Sequence, residues 1–294
     1  MLAAAGAGVQ VGAAIVASRF VVAEVPPLTL AMLRYAIGFL CLLPFALPAL
    51  RGLRGTLRRG DGLAMAALGI GQFGVLVGLL NWGLQTVAAA PTALIFSLFP
   101  LLTLLLGALL GREQANLRLA AGVLLSIAGV GLSLWPKLQL AHGGHWWGEL
   151  AVLASACVGA LCSVLYRPYL QRYPTVPVSA FAMLASVLFL AVIALGEGWP
   201  AHVGTLGPRA WALVAFVGLS SGIGYFWWLY ALKHESPTRV TVFLALNPVT
   251  AALLARTLLA EPLPAQILLA LGLIFAGLWC ATRAPSGKRQ PVPG

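Results

Sequence analysis

The sequence predicts an all-α, polytopic membrane protein: ten transmembrane helices in a 5+5 inverted repeat around a central cavity. Three observations predict it. Of the 294 residues, 61% are hydrophobic and only 9% are charged, with a mean hydropathy of +0.95, more apolar surface than one soluble core could bury. The chain also contains ten apolar runs, each close to the roughly 20 residues a helix needs to cross a hydrocarbon core. Finally, a shift of 148 residues lays the chain on itself: Arg19 falls on Arg167, Pro26 on Pro174, Gly74 on Gly222, Pro100 on Pro248, Glu113 on Glu261 and Ala128-Gly129 on Ala276-Gly277. Pro, Glu and Arg are scarce here, so these coincidences mark a duplicated unit.

Taken in order, the first copy has spans at 3–22, 28–50, 62–83, 91–111 and 118–135, and the second at 148–166, 178–195, 210–231, 239–259 and 264–282. Two repeats follow, 1–141 and 142–283, with a Pro-rich, basic tail at 284–294 that reads as disordered and cytoplasmic. An odd number of spans carries each copy from one side of the membrane to the other, which forces its duplicate to insert upside down. Charge sets the orientation. With both termini cytoplasmic, the inner loops hold thirteen Lys and Arg, from Arg51 through Arg289, against Lys137 and Arg209 outside, as the positive-inside rule requires. Arg19, Arg34 and Arg256 fall within spans near their outer ends.

This distribution explains the net charge of +11 through topology and anionic lipid, and removes the nucleic-acid partner it would suggest in a soluble chain. The first span begins almost at Met1 without a basic leader and its repeat mate is retained, so no cleaved signal peptide is expected. Cys41, Cys157, Cys162 and Cys280 lie in apolar spans without disulfide or metal-ligand spacing. No metal or cofactor is expected.

Inverted helical repeats form cavities that open to either side in turn, with the substrate site near the midplane. A polar group at the middle of a span costs several kcal/mol unless partnered, and six predicted helices carry polar groups or a proline there. They are Gln10 in the first, Gln72 in the third, Ser97 and Pro100 in the fourth, Ser155 in the sixth, Ser220 and Ser221 in the eighth, and Asn247 and Pro248 in the ninth. Those spans are the first, third and fourth of each copy, the pattern of a shared chamber. As helix–helix glue, such groups would contribute only roughly 0.6 kcal/mol each.

Pro100 and Pro248 remove the hydrogen bonds to the carbonyls of Phe96 and Leu244, leaving free acceptors or hinges for rocking. Aromatic faces gather at the same depth, with Tyr225 and Trp228, three apart, on one helix face. The expected substrate-binding set is Gln10, Gln72, Phe96, Phe99, Ser155, Ser220, Tyr225, Trp228 and Asn247, with Pro100 and Pro248 as kinks. The fifth and tenth spans instead carry small residues, Gly122, Ser126, Gly129 and Ser133, then Gly272, Ala276 and Gly277. They either pack against each other or form a homodimer face.

Two enzyme motifs occur out of context. Gly69-Ile70-Gly71-Gln72-Phe73-Gly74 spells the dinucleotide fingerprint but lies mid-span, without the strand–helix unit it needs. Gly218-Leu219-Ser220-Ser221-Gly222 spells a nucleophile elbow, yet none of the four histidines lies at matching depth to serve as base. No catalytic residue is expected. All seven carboxylates fall in loops or at span ends; without an intramembrane acid to relay protons, transport should be facilitative and strongly cationic substrates are disfavoured. Arg34, two turns into its span, reads as an anchor that snorkels outward or pairs with Glu24.

Pro26 with Arg34, the Ala-rich start of the fourth span with Pro100 and Gly111-Arg112-Glu113, Gly129, and the echoes at Pro248, Ala260-Glu261 and Gly277 together resemble the drug/metabolite transporter superfamily, specifically its ten-helix EamA-type exporters. The resemblance covers both halves. Val11-Gly12 stands where the first span often has Trp-Gly, and Ala182 where the first copy has Arg34. It implies export of small metabolites across the bacterial inner membrane by alternating access. The aromatic, charge-free cavity looks like the branch that exports aromatic and other neutral amino acids. The alternatives are a carrier of sugar phosphates or nucleotide sugars, which would need buried Lys or Arg at the midplane, and an intramembrane serine enzyme.

Overall fold

Helices satisfy every backbone polar group within one segment, which lipid demands, and the computed structural model is all-helical. It describes residues 2–53, 58, 60–111, 117–138, 145–235, 240 and 243–282. Arg112, Glu113 and the 284–294 tail lie outside the described residues. The order is α1 (Leu2–Val21), α2 (Pro27–Leu53), α3 (Asp61–Leu84), α4 (Ala89–Leu109), α5 (Leu117–Leu138), α6 (Trp147–Arg172), α7 (Thr175–Glu197), α8 (Pro208–His234), α9 (Leu246–Leu258) and α10 (Ala265–Thr282). A short helix, Trp199–Thr205, joins α7 to α8. Seven of them, α1 to α4 and α6 to α8, are long and apolar enough to cross a membrane. The apolar stretches described in α5 and α10 are shorter, and a tight turn, Phe243–Ala245, leads into α9. Pro27 and Thr175 open α2 and α7, and Leu117 and Ala265 open α5 and α10, so helix starts keep the spacing of the sequence repeat.

The halves interlock rather than standing side by side. α1 packs on α8 and α9 while α6 packs on α3 and α4; α2 packs on α8 while α7 packs on α3; α2 with α7, α4 with α9 and α5 with α10 pair with their own counterparts. Exchanging each helix for the one five along maps every one of these pairings onto another or onto itself.

Small residues at equivalent positions build the crossings, because closely approaching backbones supply the van der Waals contact that holds helices together in lipid. Where α2 crosses α8, a Cβ on Gly222 would lie 3.0 Å from Gly38 Cα; where α7 crosses α3, a Cβ on Gly74 would lie 3.2 Å from Ser186 Oγ. Gly38 and Ser186 are 148 apart, as are Gly74 and Gly222. On α1, Gly8 and Gly12 abut the carbonyl oxygens of Phe243 and Asn247; their counterparts on α6 are Ala156 and Ala160, both fully buried. The glycines of the two out-of-context motifs therefore serve helix contact. α5 and α10 meet through Gly129, whose Cβ would lie 2.8 Å from Ala270 O, and through Gly277, which abuts Gly122 O and Ser126.

Polar ties fasten both ends. At one end, Glu197 accepts hydrogen bonds from Leu28 N at 3.0 Å, Thr29 N at 2.7 Å and Thr29 Oγ1 at 2.8 Å, and Glu261 accepts from Ala89 N at 3.2 Å and Ala90 N at 3.5 Å. Each carboxylate satisfies free N–H groups in a first helical turn, of α2 and α4 respectively, and opposes the positive end of that helix dipole. Arg19 donates to Leu84 O at 2.6 Å, capping the last turn of α3. At the opposite end Asp61 accepts from Arg172 Nη1 at 2.7 Å and from Tyr173 OH at 2.6 Å, fastening α3 to α6.

Candidate functional site

α1, α2, α3, α4 and α8, with Leu244 ahead of α9, line a cavity of about 70 Å³. That volume holds about five waters and is well below the roughly 300 Å³ of a formed small-molecule site. Six of the nine expected residues line the cavity: Gln10, Gln72, Phe96, Phe99, Tyr225 and Trp228. Phe99 meets Trp228 edge to face at 5.9 Å between ring centroids and lies 5.5 Å from Phe96. Buried Phe73 stacks between Tyr35 at 4.6 Å and Tyr225 at 4.0 Å, giving the site a second set of rings. Such edge-to-face pairs each contribute about 0.5–1.5 kcal/mol beyond their burial.

The prolines lie beside this lining. Phe96 and Leu244, whose carbonyls lose the donor that Pro100 and Pro248 cannot supply, both line the cavity. α4 breaks there into Ala89–Phe96 and Phe99–Leu109, and Ser97 Oγ turns back to donate to Leu94 O at 2.5 Å. Pro248 sits in the first turn of α9, just after the Phe243–Ala245 turn.

Three expected residues do not line the cavity. Ser155 is fully buried and donates to Val152 O at 2.7 Å; α6 is walled off because the Phe99 ring lies directly over Gly159. Ser220 stands behind Gln10, accepting from its Nε2 at 3.3 Å. Asn247 is fully buried against α1, and neither its Nδ2 nor its Oδ1 has a hydrogen-bond partner. The chamber is thus drawn from α1–α4 of one copy but chiefly from α8 of the other.

Arg34, Tyr35 and Ser221, which are not in the expected binding set, also line the cavity. Arg34 is the main correction. It neither snorkels nor pairs with Glu24: it is 7% exposed, and its Nε donates to Ser221 Oγ at 2.6 Å. α8 covers the point where the side chain leaves α2, since a Cβ on Gly218 would lie 3.1 Å from Arg34 O, so the guanidinium is enclosed rather than led to the surface. The cavity therefore carries a charge. A polar residue two turns inside an apolar run that faces a pseudo-equivalent glycine-rich crossing was the available signal.

Gln72 shows how the repeat's symmetry is broken. Its counterpart 148 residues on is Ser220, which is paired with Gln10, whereas the counterpart of Gln10 is Val158, which offers no polar group. Gln72 Oε1 is accordingly buried without a partner, at a cost of about 1–3 kcal/mol. It also lies in a π-helical stretch of α3, Ile70–Val75, whereas α8 stays α-helical through Pro208–His234. Single π turns recur at functional sites.

An apolar helical bundle around a small aromatic and polar chamber is the architecture of a membrane transporter, and comparison with known proteins agrees. Residues 1–135 and 146–283 each match the EamA-like transporter family; the chain belongs to that family. It is 27% identical over 275 residues to an uncharacterized transporter of Archaeoglobus fulgidus, covering 92% of this chain and 94% of that one. It is 31% identical to the uncharacterized inner membrane transporter YedA of Escherichia coli K12, over 85% and 79% of the two chains. A protein of Streptantibioticus cattleyicolor named "Probable terminal-alkyne amino-acid exporter" is 29% identical over 72% of this chain and 70% of its own. A solved crystal structure superposes on 95% of each chain with a TM-score of 0.67 at 23% identity, which shows a shared fold.

Proposed function

We propose that this membrane transporter exports small neutral metabolites, aromatic and other neutral amino acids foremost, by facilitative alternating access. In this reading it is a ten-span 5+5 inverted repeat, 1–141 and 142–283, in a bacterial inner membrane with both termini cytoplasmic. The supporting observation is the make-up of the cavity: rings from both halves, the amides of Gln10 and Gln72, and no carboxylate among its described lining residues. Ring faces suit an apolar or aromatic side chain, and amides suit the polar end of a zwitterion. A phosphorylated sugar brings about −2 of charge and several hydroxyls, a poorer match to one guanidinium among rings.

Purified protein in liposomes should exchange labelled phenylalanine and leucine without an imposed pH gradient. Sugar phosphates should not compete. Movement of neither amino acid would overturn the substrate reading, and strict dependence on the gradient would overturn the facilitative one.

Alternating access also gives meaning to the charges at the two ends. Asp61 and Arg172 form an ion pair at the end assigned to the cytoplasm. Their counterparts by the repeat are Arg209 and Glu24, the same two charges exchanged, at the outer end, and they form no ion pair among the described residues. Inverted repeats exchange conformations between halves when access switches, so the outer pair closes as the inner one opens. With cysteines at 61 and 172 in one variant and at 24 and 209 in another, adding substrate should change the two cross-linking rates in opposite directions. Parallel changes would contradict the arrangement.

A further inference from the structure

We propose that Arg34 is the receptor for a carboxylate on the transported molecule, so that the cavity selects monocarboxylates over their amides. The inference rests on this cavity being the transport site, and it names the chemical group the site requires.

Arg34 is held in a defined orientation. Ser221 Oγ donates to Val217 O and accepts from Arg34 Nε at 2.6 Å, which fixes the guanidinium plane against α8, and the guanidinium carbon lies 5.5 Å from the centre of the Tyr35 ring. With Nε taken, the two Nη amino groups have no acceptor among the described residues. Glu197 and Glu261 are engaged on helix N-termini and Asp61 with Arg172, and Glu24 forms no ion pair with Arg34 among the described residues. A guanidinium does not shed its proton in a protein, and an uncompensated buried charge is strongly unfavourable.

Packing does not require that charge. The position equivalent to Arg34 is Ala182, fully buried on α7, and the position equivalent to Ser221 is Phe73, fully buried on α3. The α7–α3 crossing is therefore built from Ala and Phe where the α2–α8 crossing carries a guanidinium and a hydroxyl. One copy alone bears the cation, and that copy's side chain lines the cavity. Two free Nη groups in one plane match the two oxygens of a carboxylate. Gln72, whose Oε1 is buried without a partner, belongs to the same lining and is the second polar side chain within reach of the same molecule.

The test uses a matched pair of probes, 3-phenylpropionate and 3-phenylpropanamide, which differ only in the charged group. Binding is read from the fluorescence of the full-length protein in detergent, where Trp228 lies in the cavity wall. The wild-type protein should bind the acid about tenfold or more tightly than the amide. Arg34→Gln should abolish that preference, and Arg34→Lys, which keeps charge but not the planar fork, should retain part of it. Equal binding of acid and amide by the wild type overturns the proposal even if Arg34→Gln does not fold, as does a folded Arg34→Gln that keeps the preference. Displacement of the acid by equimolar inorganic phosphate overturns it in favour of a phosphate ester. Arg34-dependent binding of the acid without phenylalanine transport leaves this receptor standing and removes the amino-acid reading. Equal transport of phenylalanine and phenylalaninamide does the reverse.

Discussion

Gly222→Leu will abolish recovery of folded, monodisperse protein. A Cβ at this position would lie 3.0 Å from Gly38 Cα and 3.1 Å from Gly38 O, so the obstruction is backbone and no rotamer change relieves it. Overpacking a core by a methylene or two costs about 1–3 kcal/mol where side chains can yield; an isobutyl group driven into a helix backbone costs more, and α2 and α8 cannot both keep their places. The repeat supplies an internal control. Gly74, the equivalent residue, faces the Ser186 hydroxyl at 3.2 Å and the side chains of Phe189 and Leu190 at 3.3 and 3.7 Å, which can move. Gly74→Leu should therefore lower the unfolding temperature by several degrees while leaving protein to purify. Size-exclusion profiles and thermal unfolding in detergent decide the matter; a wild-type profile for Gly222→Leu would mean that α2 and α8 do not approach this closely at Gly38 and Gly222.

Gln72→Leu should cut transport by about tenfold or more, equivalent to at least ~1.4 kcal/mol, while leaving the unfolding temperature unchanged or raised. The combination follows from geometry. Gln72 Oε1 is buried without a partner, and removing such a group is neutral or stabilising for the fold. A residue that costs stability and lines the cavity is retained for what enters the cavity. Asn247→Leu should behave similarly in stability, since both its side-chain polar atoms are buried and unpartnered, but with transport little changed, because Asn247 does not line the cavity. Membrane expression, unfolding temperature and exchange in liposomes are measured for each. Full transport in Gln72→Leu would remove Gln72 from the site.

Much of the fold was legible in the sequence. Apolar runs placed the starts of the long helices to within a few residues, since the length of hydrocarbon to be crossed sets the length of helix, although α6 runs on to Arg172, beyond the apolar run at 148–166. The repeat spacing survived into helix starts and crossings, as Gly38–Gly222 and Ser186–Gly74 show. Within the site, Gln10, Gln72, Phe96, Phe99, Tyr225 and Trp228 could be found because mid-span amides are conspicuous in apolar surroundings and helix spacing groups the rings. Ser155, Ser220 and Asn247 were expected in the same set, but their side chains do not line the cavity.

What the chain by itself determined is thus where the apolar helices lie and that the unit occurs twice. Facing was decided only by tertiary structure. A helix bathed in lipid on one side and packed on apolar neighbours on the other shows no polar stripe to tell the two apart, so rotation about its axis is set by which small residues meet which backbone. That is why Arg34, read as an anchor, lies enclosed beside Ser221, why the π turn at Ile70–Val75 was unforeseen, and why Phe99 over Gly159 keeps α6 out of the chamber.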